Sequence, residues 1–444
     1  MSGKISSPKS AVALAAFALA LLTWNRAASK IGLGGIYYLD ILILTFILLY
    51  PKYIIRFTHR NPAALGFLLT GAAWLAIESS LYQIDTLHLR RFALSFYIFA
   101  AIIFSGLAPI IGVFIQRHFL KLCFASFFGA ALGLPDISPT LSCQFLGALL
   151  LYAISGRWYG VQSVSKTQIL VCAFLFSILT SGAVTGQSIY RTPALAFGVS
   201  FCIVLFSRVW IQLRIRNTMP RSFLYGTIAI LLFAAPFLLL TAAGHGLVQQ
   251  LLFGIGGIVN SQEMIDFARN IAPYAASDRG DSAGNASVRT VFWTAILENS
   301  SKNTITALFG EGHQFNFLTA LDTGLLFSNP ELIEPHNSFI STIFRYGYIG
   351  LTLLGTAIYL EYRTTNRICN NKIVTISFTT FAIIFASFEV ALESPHGAAL
   401  FWFIMYAPRF YLTPLKFDSK TRSNKYITTS NNTCTGMPNS PSNA

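Results

Sequence analysis

The chain is punctuated by apolar runs, and their length is what most restricts its fold. About twelve of them approach the roughly 20 residues that an α-helix needs to cross the ~30 Å hydrocarbon layer of a bilayer. Their centres lie at about 11–24, 33–50, 62–81, 92–115, 118–134, 140–155, 168–184, 191–207, 222–243, 338–360, 373–391 and 396–412. A bilayer offers no water to backbone N–H and C=O groups, so such runs fold as helices rather than as open sheets. Composition agrees, since 54% of the 444 residues are hydrophobic and 11% are charged, against about a quarter charged in a soluble domain. The expected fold is an all-α polytopic membrane protein with about twelve transmembrane helices, the pairs 92–134 and 168–207 being separated only by weak breaks. Lys4 and Lys9 ahead of Ala11–Leu22 resemble the opening of a signal peptide. With so many apolar runs following, a retained first helix is expected.

Charge orients this framework. If the N-terminus is cytoplasmic, segments on that side carry 21 of the 31 Lys and Arg residues, the bias that inner loops show. Both termini are then inside. The transmembrane helices divide into a first group over residues 1–243 and a second over 338–412. Residues 244–337 form one long outward loop, and 413–444 a polar tail expected to be disordered in the cytoplasm. The loop holds nine of the 17 acidic residues and four basic ones. Within it, Ser287–Leu297 has apolar residues at helical spacing and reads as an amphipathic helix lying along the membrane surface. The net charge of +14 is spread singly between apolar runs, a pattern that argues against nucleic-acid binding. Cys123, Cys143, Cys172 and Cys202 lie in apolar runs, while Cys369 and Cys434 lie in basic inner segments, so no disulfide framework or zinc spacing emerges.

The residues able to carry chemistry gather around the outer face. Glu334-Pro335-His336-Asn337-Ser338 turns into an apolar run, and Asn and Ser side chains there are suited to cap the first turn of a helix. His336 then stands at the helix mouth, where the positive end of the helix dipole favours neutral imidazole, a form able to accept a proton. Gly347 and Gly350 follow as a side-chain-free patch where a neighbour can approach closely. Arg191 opens the helix after Gly186-Gln187-Ser188-Ile189-Tyr190. Its guanidinium fork matches phosphate oxygens, although an interfacial anchor is the other reading. Arg289 stands four residues before Trp293 and can bind an anion or stack on the indole. His313, in the turn Gly310-Glu311-Gly312-His313, is either a substrate contact or an ordinary turn histidine. Asp40, Glu78, Arg345, Glu389 and Glu393 lie inside or beside apolar runs, where charges are costly and so paired or functional. A structural partnership of Arg345 with a carboxylate such as Glu389 is expected. Glu393 and His396 flank a short outward loop that can reach the same cavity as His336.

The sequence His336-Asn337, nine residues, then Gly347-x-x-Gly350 resembles the signature of the O-antigen ligase and O-antigen polymerase family of bacterial inner-membrane proteins. Arg289, Trp293, Gly310 and Gly312 resemble a second part of that pattern. The Ser188-Ile189-Tyr190-Arg191 stretch departs from the adjacent Ser-Arg-Gly expected there. The resemblance implies a metal-independent, cofactor-free glycosyltransferase whose donor is an undecaprenyl-diphosphate-linked glycan, with the active site facing the periplasm. The acceptor would be lipid A-core for a ligase, or a carrier-linked glycan for a polymerase. It also implies His336 as the catalytic base, with Arg191, Arg289, Asn337 and His313 binding substrate. Membrane lipids are expected partners and nucleic acid is not. The rival class is a secondary transporter using Asp40, Glu78 and Glu389 as coupling sites.

Overall fold

The structure, a computed structural model, describes residues 8–23, 32–33, 36–84, 86–131, 140–159, 164–182, 190–216, 293, 296–297, 300, 303–313, 337–389 and 391–411. Among these the chain is helical apart from a two-residue antiparallel ladder that pairs Gly32–Leu33 with Ile36–Tyr37. The first half supplies α1 (Pro8–Thr23), α2 (Tyr38–Leu49), α3 (Pro51–Arg60), α4 (Pro62–Leu81), α5 (Thr86–Phe96) and α6 (Ala100–Ala131). Then come α7 (Thr140–Trp158), α8 (Lys166–Thr180) and α9 (Arg191–Arg216). The second half supplies the short α10 (Thr304–Phe309), then α11 (Ser338–Cys369), α12 (Lys372–Phe388) and α13 (Pro395–Tyr406), which tightens into a 3-10 turn over Ala407–Tyr411.

Every expected apolar run that falls on described residues contains a helix, and the run at 222–243 lies outside them. Among the described residues, four stretches are long and apolar enough to cross a membrane: Pro62–Leu81, His88–Ala131, Thr192–Ile211 and Ser338–Cys369. The pair α2 and α3, bent by 97° at Tyr50 and Pro51, makes a fifth if it is counted as one broken span. The weak break expected near residue 118 is a kink rather than a loop, because His118 alone leaves helical geometry (φ −119°, ψ 20°) within α6.

Burial follows hydrophobic pattern. The twelve residues of α13 are all buried, as befits a helix that is apolar all round. It lies against α6, α7 and α12, with Phe403 touching Phe104 and Phe145, and the Trp402 indole donating to the Tyr97 carbonyl at 3.2 Å. Helices α2, α4, α8 and α9 instead leave large apolar side chains exposed, among them Leu48, Leu69, Phe174 and Phe206. A bilayer rewards that pattern, since lipid tails are as apolar as the side chains facing them.

Candidate functional site

Helix α11 begins at an Asn cap. Asn337 is extended (φ −154°, ψ 108°), and its side-chain oxygen accepts from the backbone N–H groups of Phe339 and Ile340 at 3.0 and 3.1 Å. The sequence position of His336 is therefore immediately ahead of the cap, although His336 itself lies outside the described residues. Ser338 stitches this start to the turn between α12 and α13. Its hydroxyl donates to Glu393 Oε2 at 2.6 Å and accepts from the N–H groups of Ala391 and Leu392 at 3.1 and 2.9 Å. Ser394 caps α13, Pro395 occupies its first turn, and the buried His396 ring follows with no hydrogen-bond partner for Nε2 among the described residues. Glu393 thus reaches the start of α11, as its place in the sequence suggested.

Other chain ends meet at the same end of the bundle. Arg191 is the first residue of α9, and the preceding Tyr190 N–H donates to Thr180, the last residue of α8, at 2.9 Å. Thr180 neighbours Cys143 in the first turns of α7, and the Glu389 carboxylate, just past α12, lies within electrostatic reach of the same thiol. Trp293 packs on Phe388 with ring centroids 6.1 Å apart. The described positions place Arg191, Trp293, Asn337, Ser338, Glu389, Glu393 and His396 at one end, while Arg289 lies outside the described residues.

Roughly 12 Å deeper along α11, by its rise of 1.5 Å per residue, residues 310–313 dock into a break in the helix. Gly347 has φ +64° and ψ −166°, which frees the carbonyls of Phe344 and Arg345. The N–H groups of Glu311 and Gly312 take them up at 2.7 and 3.1 Å. The contact needs glycine on both sides, because a Cβ on Gly310 would overlap the Arg345 backbone and one on Gly347 would overlap the Leu308 backbone. The close approach expected at Gly347 is therefore made by α10 and the turn after it. Trp74 of α4 fastens the same segment, its indole donating to the Phe309 carbonyl at 2.8 Å. Glu311 is half-buried, and burial pushes its carboxyl above the ordinary range.

His313, for which a substrate contact and an ordinary turn histidine were both open, is fully buried. Nδ1 meets Glu78 Oε2 at 2.8 Å, Nε2 meets the Tyr346 hydroxyl at 3.0 Å, and the backbone N–H donates to Glu78 Oε1 at 2.5 Å. An ionised Glu78 only accepts, so the network assigns the ring proton to Nδ1 and leaves Nε2 to accept from tyrosine. Arg91 Nη1 closes the group by donating to the His313 carbonyl at 2.5 Å. Arg345, for which a carboxylate such as Glu389 was the expected partner, donates to the Gly312 carbonyl at 3.3 Å. His313, Glu78 and Tyr346 thus hold the loop segment to the helices, with ring nitrogens already occupied.

A second buried cluster, missed from sequence, sits at the opposite end of α11. Glu361 is 0% exposed and receives Arg60 at 3.0 and 3.1 Å, Asn61 Nδ2 at 3.2 Å, Arg409 at 3.5 Å and the Tyr406 hydroxyl. Thr365 accepts from Arg409 Nε at 2.9 Å. The expected apolar run stops at residue 360, one residue short of this carboxylate, which therefore did not stand out among the charges in apolar runs. Its signal was the excess of basic residues at that end, which leaves any buried carboxylate there richly supplied with partners.

No protein-family model matches this chain, and no curated protein matches it. The structure itself supports an all-α bundle with several apolar helices of membrane-crossing length.

Proposed function

We propose that this chain is a membrane glycosyltransferase that moves a glycan from an undecaprenyl-diphosphate carrier to a sugar hydroxyl at the periplasmic face. The reading that fits best is O-antigen ligase-type transfer to lipid A-core. The observation that supports the proposal is the Asn337 cap at the start of α11, next in sequence to His336, with Arg191 opening α9 at the same end of the bundle. In this reading His336 takes the proton of the acceptor hydroxyl as its oxygen attacks the anomeric carbon. The bond from that carbon to the diphosphate breaks, and Arg191 and Arg289 stabilise the charge that develops on the departing carrier. Glu393, bound to Ser338, supports the turn that faces the cap.

A secondary transporter would also contain broken helices and buried carboxylates, with unwound carbonyls free to coordinate an ion. At the α11 break, the Phe344 and Arg345 carbonyls are instead bonded to Glu311 and Gly312, which favours a structural break. The deciding experiment is transfer in vitro from a purified undecaprenyl-diphosphate glycan to lipid A-core or to a second carrier-linked glycan. His336→Ala should lower turnover by about 10²- to 10⁴-fold, the usual contribution of a positioned base. Arg191→Lys and Arg289→Lys, which keep charge but lose the fork, should each lower it sharply. Normal transfer by all three variants rejects the site, and absence of transfer to either acceptor by the parent protein rejects the reaction. Product made only with the second acceptor would identify a polymerase.

A further inference from the structure

We propose that the corner between α2 and α3 is a binding surface for an anionic phospholipid, whose tails lie along α2 and whose headgroup meets α3. The proposal needs only a membrane location and is independent of the transfer reaction above. Helix α2 exposes Ile41, Leu44 and Leu48, spaced three and four residues apart, at 55%, 51% and 71%. These positions share one helical face. At Tyr50 and Pro51 the chain turns by 97°, so if α2 enters a bilayer along its normal, α3 lies along the surface.

The exposed face of α3 then changes chemistry. Lys52, Ile55, Arg56 and His59 are exposed, again at spacings of three and four. Helix α3 contains no acidic residue. Its other face is anchored, with Tyr53 6.0 Å from Phe46, Phe57 5.9 Å from Phe99, and Arg60 paired to Glu361. The helix therefore has a fixed orientation without any lipid. Arg363 and Arg367, exposed one turn apart beyond Glu361, add positive charge at this end. An apolar stripe that runs into a basic one across a right-angled corner matches one amphipathic ligand, a lipid with hydrocarbon tails and a phosphate-bearing acidic headgroup. Surface helices of this kind bind through buried apolar area together with attraction to anionic lipids.

The test is lipid retention by the full chain, purified from membranes and equilibrated with phosphatidylglycerol and phosphatidylcholine of matched tails, then read by native mass spectrometry. The parent protein should keep phosphatidylglycerol in preference to phosphatidylcholine. A basic residue near an anionic surface is worth about a factor of five, so the double variant Lys52→Gln/Arg56→Gln should lose roughly 30-fold in retention. Lys52→Arg/Arg56→Lys, with charge kept, should retain the lipid like the parent. Equal retention of the two lipids by the parent overturns the proposal without recourse to any variant. Undiminished retention by the Gln double variant, or equal loss in the charge-conserving one, also overturns it.

Discussion

Glu78 grips His313 at two points, with one carboxylate oxygen on the backbone N–H at 2.5 Å and the other on Nδ1 at 2.8 Å. His313→Ala removes the ring and leaves the Glu78 carboxylate buried beside an empty volume. Removing a hydrogen-bond partner from a buried carboxylate costs about 1–3 kcal/mol. The unfolding midpoint in detergent should drop by several degrees, and an unchanged midpoint would show that segment 303–313 is held by its backbone contacts alone.

The same pair sets a pH dependence. Burial lowers the His313 pKa from its ordinary 6.5, and the attraction of Glu78 offsets this only in part. The unfolded chain therefore binds a proton at a pH where the folded chain does not. Stability contributed by neutral His313 is complete above about pH 6.5 and declines as pH falls below it. Unfolding midpoints followed from about pH 8 to pH 5 should fall on the acid side, with a shallower fall in His313→Gln. Identical slopes in the two proteins would assign the acid loss to other groups.

Gly347→Ala tests the break in α11. Backbone at φ +64° and ψ −166° is a region that only glycine occupies freely, and the new methyl would meet the Leu308 carbonyl. Strain of this kind costs about 1–3 kcal/mol before the clash is added. Loss of folded protein or a lower midpoint is expected. A variant as stable as the parent would mean that the helix runs straight and residues 308–312 dock elsewhere.

Glu361 neutralises a buried neighbour, Arg409, which is 5% exposed. Glu361→Gln keeps the shape and removes the charge, and should cost about 3–5 kcal/mol by leaving the guanidinium uncompensated. Replacing both residues by Met should recover much of that loss, because paired removal avoids an orphaned charge. A double-mutant cycle by thermal unfolding measures the coupling. Additive losses would show that the two groups do not depend on each other.

Asn337 separates capping from contact with substrate. Asn337→Ala should lose about 1 kcal/mol, and Asn337→Asp should regain it because a carboxylate caps a first turn equally well. If transfer returns together with stability in the Asp variant, the cap accounts for the residue. If stability returns and transfer does not, the amide nitrogen touches substrate.

The helices were legible because spacing and hydropathy are local properties. Runs such as 62–81 and 338–360 needed no tertiary information, and the Asn337 cap followed from side-chain chemistry alone. The end of a helix amid polar residues was harder, so α11 continues past the expected residue 360 to Cys369 and carries Glu361 inward. Gly347 was read correctly as a place of close approach, yet its positive φ depends on Leu308 and Arg345, which only the folded chain brings together. His313 shows the same limit. A histidine in a glycine turn suggests exposure until Glu78 and Tyr346, distant in sequence, enclose it.

That distance has a consequence for the order of assembly. Glu78 and Arg91 are separated from His313 by 235 and 222 residues. At about 5–20 residues per second of synthesis, the intervening chain takes roughly ten to fifty seconds to appear. During that interval α4 already carries a carboxylate that its final partner cannot yet reach, a situation that membrane interiors penalise. Until the ribosome delivers the histidine, an isolated carboxyl on α4 is held most cheaply in its protonated form or at the membrane surface. Truncated chains ending before residue 313 should be the forms that membrane quality control removes.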